Sequence, residues 1–166
     1  MSSDRSTSGY EIRSATQADL ADIFALERSV ASAPHWAVEV YWSIVDAPTA
    51  SSPDVDPRRC LLVATALNGQ VLGFAAGVVQ KTGPAELESL AVAPSARRRG
   101  IGAALCCEIA AWARTLRASE LLLEVRMSSD AAVALYKGLG FEEIGRRPGY
   151  YREPEDDAIL MRLALA

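Results

Sequence analysis

The segment of this 166-residue chain best suited to bind an anion is a glycine-containing turn that precedes an amphipathic run. It reads Arg97-Arg98-Arg99-Gly100-Ile101-Gly102-Ala103, and the run continues to Leu116. Glycine lets a backbone approach a ligand closely, and the first turn of a helix offers unpaired N–H groups at the positive end of its dipole. The turn predicts a pyrophosphate site; a helix start with solvated arginines is the alternative. No Gly-Lys-Ser/Thr follows, and the glycine spacing differs from a dinucleotide-binding fingerprint.

Three glutamates stand out by their positions in predicted strands. Glu124 interrupts an apolar run over residues 121–125, where a carboxylate needs either a partner or a function. Its structural alternative is an ion pair with Arg126 or with a neighbouring strand. Glu86 and Glu88 alternate along the strand that precedes the turn, and a solvated sheet face would explain both equally well.

The composition argues against several other chemistries. The chain has three cysteines, Cys60, Cys106 and Cys107, and a single histidine, His35, so we expect neither a disulfide framework nor a metal site. A net charge of −4 argues against a broad nucleic-acid surface. The polar start has no apolar signal-peptide core, and no run approaches the length of a membrane span, so we expect a cytoplasmic protein.

The elements that must position these residues follow from hydrophobic periodicity and turn signals. Asn68-Gly69 predicts a two-residue hairpin, because both residues tolerate positive φ. Thr16 and Asp19 predict a helix start, and three prolines predict a loop over residues 46–59. Residues 1–9 are predicted to be a flexible tail, and residues 10–166 a single α/β (α+β) domain. The predicted strands are 10–13, 60–67, 71–79, 85–92, 120–125, 141–145 and 158–163; further helices are predicted over 37–45, 101–116 and 128–138.

Four motifs follow one another along the chain: Leu90-Ala91-Val92, Arg97-x-x-Gly100-x-Gly102-Ala103, Leu123-Glu124-Val125-Arg126 and Ala134-Leu135-Tyr136-x-x-Leu139-Gly140-Phe141. In this order they resemble the GNAT family of acetyl-CoA-dependent N-acetyltransferases, and the RimI-type group within it that acetylates protein N-termini. The resemblance implies a central mixed, mostly antiparallel sheet flanked by helices. It also implies acetyl-CoA as cosubstrate and no metal.

The resemblance also implies where the cosubstrate binds. The backbone of Leu90, Ala91 and Val92 would pair with the pantetheine arm as a strand pairs with an added strand, and an N–H there could hold the developing oxyanion. Arg97 to Ala103 would hold the pyrophosphate. RimI-type enzymes usually carry asparagine where this chain has Ser129, whose reach is shorter, which puts a cofactor contact there in doubt.

The same resemblance implies the catalytic pair. Tyr136 corresponds to the general acid that protonates the leaving thiolate; its alternative is a ring packed under the last strands. Glu124 corresponds to the general base, with Glu88 and Glu86 as rivals. An α-amine has a pKa near about 8, against about 10.4 for lysine, so its deprotonation costs roughly 3 kcal/mol less.

The implied acceptor is a protein N-terminus, namely the N-terminal alanine of a small-subunit ribosomal protein, attacked directly in a ternary complex. Trp36, Tyr150 and Tyr151 could line the peptide groove, or could be ordinary edge packing. We expect a monomer or weak dimer that binds neither nucleic acid nor membrane. Two alternatives stay open: a small-molecule amine acetyltransferase, and a catalytically silent acyl-CoA-binding module.

Overall fold

A seven-stranded sheet with helices on both faces forms the framework of the molecule. The computed structural model describes residues 9–30, 36–45, 57–81 and 83–166. The strands are β1 (Tyr10–Ser14), β2 (Arg58–Ala66), β3 (Val71–Val79), β4 (Ala85–Val92), β5 (Glu120–Arg126), β6 (Glu142–Arg152) and β7 (Glu155–Ala164). The helices are α1 (Leu20–Ser29), α2 (Val38–Val45), α3 (Ile101–Thr115) and α4 (Asp130–Gly138), with 3-10 turns at Gln17–Asp19 and Pro94–Ala96.

The strand order β1-β2-β3-β4-β5-β7-β6 contains one parallel contact, between β4 and β5. That contact extends over only two register pairs, Ala85 with Leu121 and Glu86 with Leu122. On its other side β4 pairs with β3 along its length, but Ala76 opposes Ser89 while Gly77 opposes Leu87, so Glu88 is an extra residue. A bulge of this kind bends a strand. The two central strands therefore part beyond Glu86, and a cleft opens between them.

Two apolar clusters hold the helices on the sheet. On one face, Ile101, Leu105 and Ile109 of α3 are buried at the spacing expected of an amphipathic helix. Gly77 of β3 allows this close approach, because a Cβ there would lie 2.9 Å from Ile109. On the other face, α1 and α2 pack through a second cluster, in which the fully buried Tyr41 donates a hydrogen bond to Glu27.

The structure confirms the predicted mixed, mostly antiparallel sheet and its helices, and it changes several boundaries. The Asn68-Gly69 hairpin is present, with Gly69 at φ 88°. β2 begins at Arg58, two residues before the predicted strand, because Arg58 and Arg59 pair with Val79 and Val78. Residues 1–8 of the predicted tail (1–9), His35 and residues 46–56 of the predicted loop (46–59) lie outside the described residues.

The two C-terminal strands are much longer than predicted. The strand predicted over 141–145 runs to Arg152, and the strand predicted to begin at residue 158 begins at Glu155. Pro148 and Gly149 suggest an early end to the strand, but they lie in an irregular stretch of the ladder. β5, predicted to be buried, is buried on one face only, through Leu121, Leu123 and Val125.

Candidate active site

The cleft between β4 and β5 gathers most of the candidate residues that the sequence indicated. Its volume is about 660 Å³. β4 and β5 form its walls, α4 closes one side, and β6 closes the other. Residues whose chemistry matters here are Trp36, Glu86, Glu88, Leu90, Glu124, Ser129, Tyr136, Arg147, Tyr150 and Tyr151.

The glycine-containing turn lies at the C-terminal end of β4, beside this cleft. Gly100 caps α3 at φ 77°, a conformation that favours glycine, and no described side chain hydrogen-bonds to the cap. Arg97, Arg98 and Arg99 are exposed. A Cβ at Gly102 would lie 3.7 Å from both Leu90 and Val92, so the first turn of α3 packs directly on the end of β4. Open amides, exposed cations and close packing fit a pyrophosphate group at this turn.

The last residues of β4 have a free backbone edge. Ala91 and Val92 pair with Phe74 and Gly73 of β3, whereas on the side facing β5 the described pairing stops at Glu86. An unpaired edge of this kind can accept an extended ligand as an added strand. These residues therefore suit the pantetheine arm of coenzyme A.

Tyr136 is packed under the last strands, as the structural alternative expects, and it also lines the cleft. Its ring is 8% exposed and packs edge-on against Phe141 at 5.5 Å. Burial raises the pKa of its hydroxyl, with smaller contributions from Cys106 and Tyr151. The hydroxyl therefore keeps its proton near neutral pH and can donate it.

Glu124 faces the cleft from β5, with 29% of its side chain exposed. Its Oε1 lies 3.4 Å from Nη1 of Arg147 on β6. Hydrogen bonding to Glu124 raises the pKa of the Tyr150 hydroxyl. The alternative partner considered from the sequence, Arg126, instead lies over the ring of Tyr151, 4.1 Å from its centroid.

The two rival carboxylates enter the same cleft from β4. Glu88 pairs with Arg59 at 3.3 Å, and burial raises the pKa of Glu88. Its Oε2 is buried with no hydrogen-bond partner among the described residues. Glu86 is exposed. All three candidate bases therefore border the cleft, one from β5 and two from β4.

The three aromatic residues predicted for the acceptor also meet at the cleft. Trp36 packs against Tyr41 with ring centroids 5.3 Å apart, and the rings of Tyr150 and Tyr151 are 5.1 Å apart. No role was predicted from the sequence for Arg147, which contacts Glu124, or for Arg59, which contacts Glu88.

Two of the three cysteines, Cys60 and Cys106, do not suit nucleophilic chemistry, whereas Cys107 is exposed. Burial raises the pKa of both Cys60 and Cys106 to about 12, which leaves almost no thiolate near neutral pH. Within the described ranges, no group of three or more His, Cys, Asp or Glu side chains could hold a metal ion. Among the described helices, none has the length and apolar character needed to cross a membrane.

Comparison with known proteins identifies the family. The model of the acetyltransferase (GNAT) family matches residues 18–141. The N-alpha-acetyltransferase RimI of Mycobacterium tuberculosis is 38% identical over 69% of this chain and 73% of its own length. The [ribosomal protein bS18]-alanine N-acetyltransferase of Escherichia coli is 38% identical over 60% of this chain and 68% of its own length.

The crystal structure of that Escherichia coli enzyme superimposes with a TM-score of 0.74 at 30% identity, covering 95% of this chain and 94% of the enzyme. A further match, the uncharacterized protein ML0378 of Mycobacterium leprae, is 43% identical over 46% of this chain, and the match spans only 21% of that protein. The chain belongs to the GNAT family and is an acetyl-CoA-dependent N-acetyltransferase.

Proposed function

We propose that the chain transfers an acetyl group from acetyl-CoA to the α-amine of a protein N-terminus, with an N-terminal alanine of a small-subunit ribosomal protein as the acceptor. The observation that carries the proposal is that Glu124 and Tyr136 line one cleft, beside the free edge of β4. Relatives named for α-amine and S18-alanine acetylation support the choice of acceptor.

The cosubstrate would bind along β4 and the glycine-containing turn. Leu90, Ala91 and Val92 offer backbone groups to the pantetheine arm. Arg97, Arg98 and Arg99, together with Gly100, Ile101, Gly102 and Ala103, would surround the pyrophosphate at the N-terminus of α3. Ser129 is the N-cap residue of α4 and lines the cleft, but its side chain does not cap the helix, so its hydroxyl is available to a ligand.

The acceptor amine would be deprotonated by Glu124, directly or through a water, before it attacks the thioester carbonyl carbon. A backbone N–H of β4 would hold the oxygen as it becomes negative. As the carbon–sulfur bond breaks, Tyr136 would give its proton to the leaving thiolate. The products are an amide and a free thiol, and no acyl group is carried on the enzyme. The inert thiols of Cys60 and Cys106 support this direct route.

The acceptor side of the cleft suits a peptide better than a bare amine. Trp36, Tyr150 and Tyr151 provide apolar surface beside Glu124, and such surface can hold the first side chains of an N-terminal segment. A single carboxylate can serve as the base because an α-amine loses its proton more easily than a lysine, by roughly 3 kcal/mol.

The test incubates a small-subunit ribosomal protein mixture with enzyme and acetyl-CoA and locates new acetyl groups by mass spectrometry. We expect one N-terminal alanine to gain the acetyl group and lysine side chains to remain unmodified. Polyamine and aminoglycoside acceptors are assayed in parallel by thiol release. Faster turnover of those amines than of any protein N-terminus would contradict the proposal, as would tight coenzyme A binding without acetylation of any acceptor.

A further inference from the structure

The hairpin formed by the end of β6 and the start of β7 has an interrupted ladder. We call residues 147–157 the arm. Arg147 pairs with Ala158 and Tyr151 with Asp156, but the register shifts between Arg147 and Tyr151. Beyond the shift only two pairs close the hairpin, at Tyr151 and at Arg152. A two-stranded hairpin is only marginally stable by itself. The arm therefore needs other contacts to hold its position.

Arg126, the last residue of β5, supplies contacts of the required kind. Its Nη1 donates a hydrogen bond to the carbonyl oxygen of Pro154 at 2.9 Å, and its Nη2 donates one to that of Glu153 at 3.3 Å. Its guanidinium also lies 4.1 Å from the centroid of the Tyr151 ring. One planar cation therefore contacts both the tip of the arm and one of its aromatic rings.

The segment that follows Arg126 makes a second set of contacts to the base of the arm. Asp156 Oδ2 accepts hydrogen bonds from the backbone N–H of Ser128 at 3.1 Å and from its hydroxyl at 2.5 Å. The backbone N–H of Met127 donates to the carbonyl oxygen of Asp157 at 2.9 Å. Within the arm, Asp157 Oδ1 accepts from the N–H of Gly149 at 2.8 Å, which spans the irregular stretch.

We infer that Arg126 and Asp156 are positioning residues for the acceptor: they clasp the arm to β5 and so hold Tyr150 and Tyr151 against the cleft beside Glu124. The inference rests on the proposed function in taking the acceptor to be a peptide. Arg126 is two residues from Glu124 on the same strand. Its contacts therefore fix Tyr150 and Tyr151 relative to the strand that carries the proposed base. Because the two tyrosines already have their binding geometry before the peptide arrives, less conformational entropy is lost when the peptide binds.

The test compares wild type with Arg126→Ala and Asp156→Ala, with Arg152→Ala as the matched control. Arg152 is an exposed cation on the same arm, for which no side-chain contact is described. Backbone hydrogen exchange of the free protein is measured first. We expect exchange in residues 149–157 to be about tenfold faster in Arg126→Ala and Asp156→Ala, with α3 and β3 unchanged and Arg152→Ala like wild type.

Steady-state kinetics then separate a positioning role from a merely structural one. In Arg126→Ala we expect KM for an N-terminal peptide to rise about tenfold, while Kd for acetyl-CoA stays within twofold of wild type. Arg126→Lys, which keeps a cation over Tyr151 and one donor, should recover part of the loss.

The clasp would be overturned by unchanged hydrogen exchange in the arm or by an unchanged peptide KM. It would also be overturned if the peptide KM and the acetyl-CoA Kd rose by the same factor. A wild-type protein that acetylates no peptide would overturn the proposed function instead. In that case faster arm exchange in both variants still supports the clasp, since exchange is measured without any acceptor.

Discussion

Glu124 and Arg147 face each other across the cleft, with 3.4 Å between Oε1 and Nη1. Tyr150 lies close to both, since the Arg147 guanidinium is 5.7 Å from its ring centroid and Glu124 raises the pKa of its hydroxyl. The Arg147 side chain is 54% exposed, and an ion pair this open to solvent is weak. In the proposed mechanism Arg147 and Tyr150 orient the carboxylate before an amine arrives, and because the ion pair is weak, the contact with Arg147 can be exchanged for one with the amine.

The first prediction concerns the choice of base among three glutamates. Glu124→Gln should lower kcat/KM by about 10²- to 10⁴-fold, because the amide cannot take the proton. Acetyl-CoA affinity should be unchanged, as measured by calorimetry. Glu88→Gln and Glu86→Gln are the matched controls and should keep most of the activity. A near-normal Glu124→Gln beside an inactive Glu88→Gln would assign the role to Glu88.

A second prediction isolates the hydroxyl of Tyr136. Tyr136→Phe keeps the ring and its packing on Phe141, so the urea unfolding midpoint should change little. Since the leaving thiolate then has no proton donor, kcat should fall by about 10²- to 10⁴-fold. Tyr10→Phe removes a hydroxyl far from the cleft and should leave kcat unchanged. Retention of full turnover by Tyr136→Phe would remove the tyrosine from the mechanism.

The glycine-containing turn makes a third prediction. Gly100→Ala places a side chain at φ 77°, which should destabilise the protein by about 1 kcal/mol. It should also weaken acetyl-CoA binding, because the strained turn precedes the amides proposed to hold the pyrophosphate. Gly138→Ala is the control: it lies at the end of α4 with open space around it, so the change should be neutral or stabilise by about 0.5 kcal/mol. Equal acetyl-CoA affinity in both variants would argue against a pyrophosphate site at Gly100.

A fourth prediction concerns acid stability at the start of α1. A hydrogen bond from Arg13 is the largest cause that lowers the pKa of Asp19 to about 2; burial opposes it, and Thr16 and the charge of Arg13 lower it further. A lowered folded-state pKa stabilises the protein above the unfolded value of 3.8, and this contribution is lost as the pH falls towards about 2. Arg13 is 40% exposed, so solvent screening reduces the contribution to about 1 kcal/mol.

Asp19→Asn should therefore lower the free energy of unfolding by about that amount near neutral pH, with the difference from wild type shrinking below about pH 4. Urea titrations across this pH range provide the measurement. A difference that stays constant down to about pH 2 would show that the charge of Asp19 is not responsible.

Local patterns predicted the parts of the fold that depend on neighbours along the chain. The buried face of α3 follows from the spacing of Ile101, Leu105 and Ile109, and the Asn68-Gly69 hairpin follows from the φ angles those residues tolerate. A family motif indicated Tyr136, while Glu124 was indicated both by a motif and by its position inside an apolar run. In each case the residues that allow the prediction lie within a few positions of the predicted helix, turn or site residue.

The features that escaped prediction depend on strand order and register. Arg147 meets Glu124 only because β7 lies between β5 and β6, which no local pattern encodes. The arm was not predicted because Pro148 and Gly149 are typical of the end of a strand. In the structure they form an irregular stretch within β6, and Asp157 accepts a hydrogen bond from Gly149 across it. The extra residue at Glu88, which accompanies the opening of the cleft, is likewise set by pairing with β3.

The proposed transfer to an α-amine is tested most directly by locating the acetyl group on one peptide that offers both an α-amine and a lysine amine. The peptide begins with alanine and contains an internal lysine, and fragment-ion mass spectrometry locates the added acetyl group after incubation with wild type or Glu124→Gln. We expect wild type to acetylate the α-amine only, and Glu124→Gln to yield about 10²- to 10⁴-fold less of the same product. Acetylation mainly at the lysine, or equal α-amine product from the two proteins, would contradict this expectation.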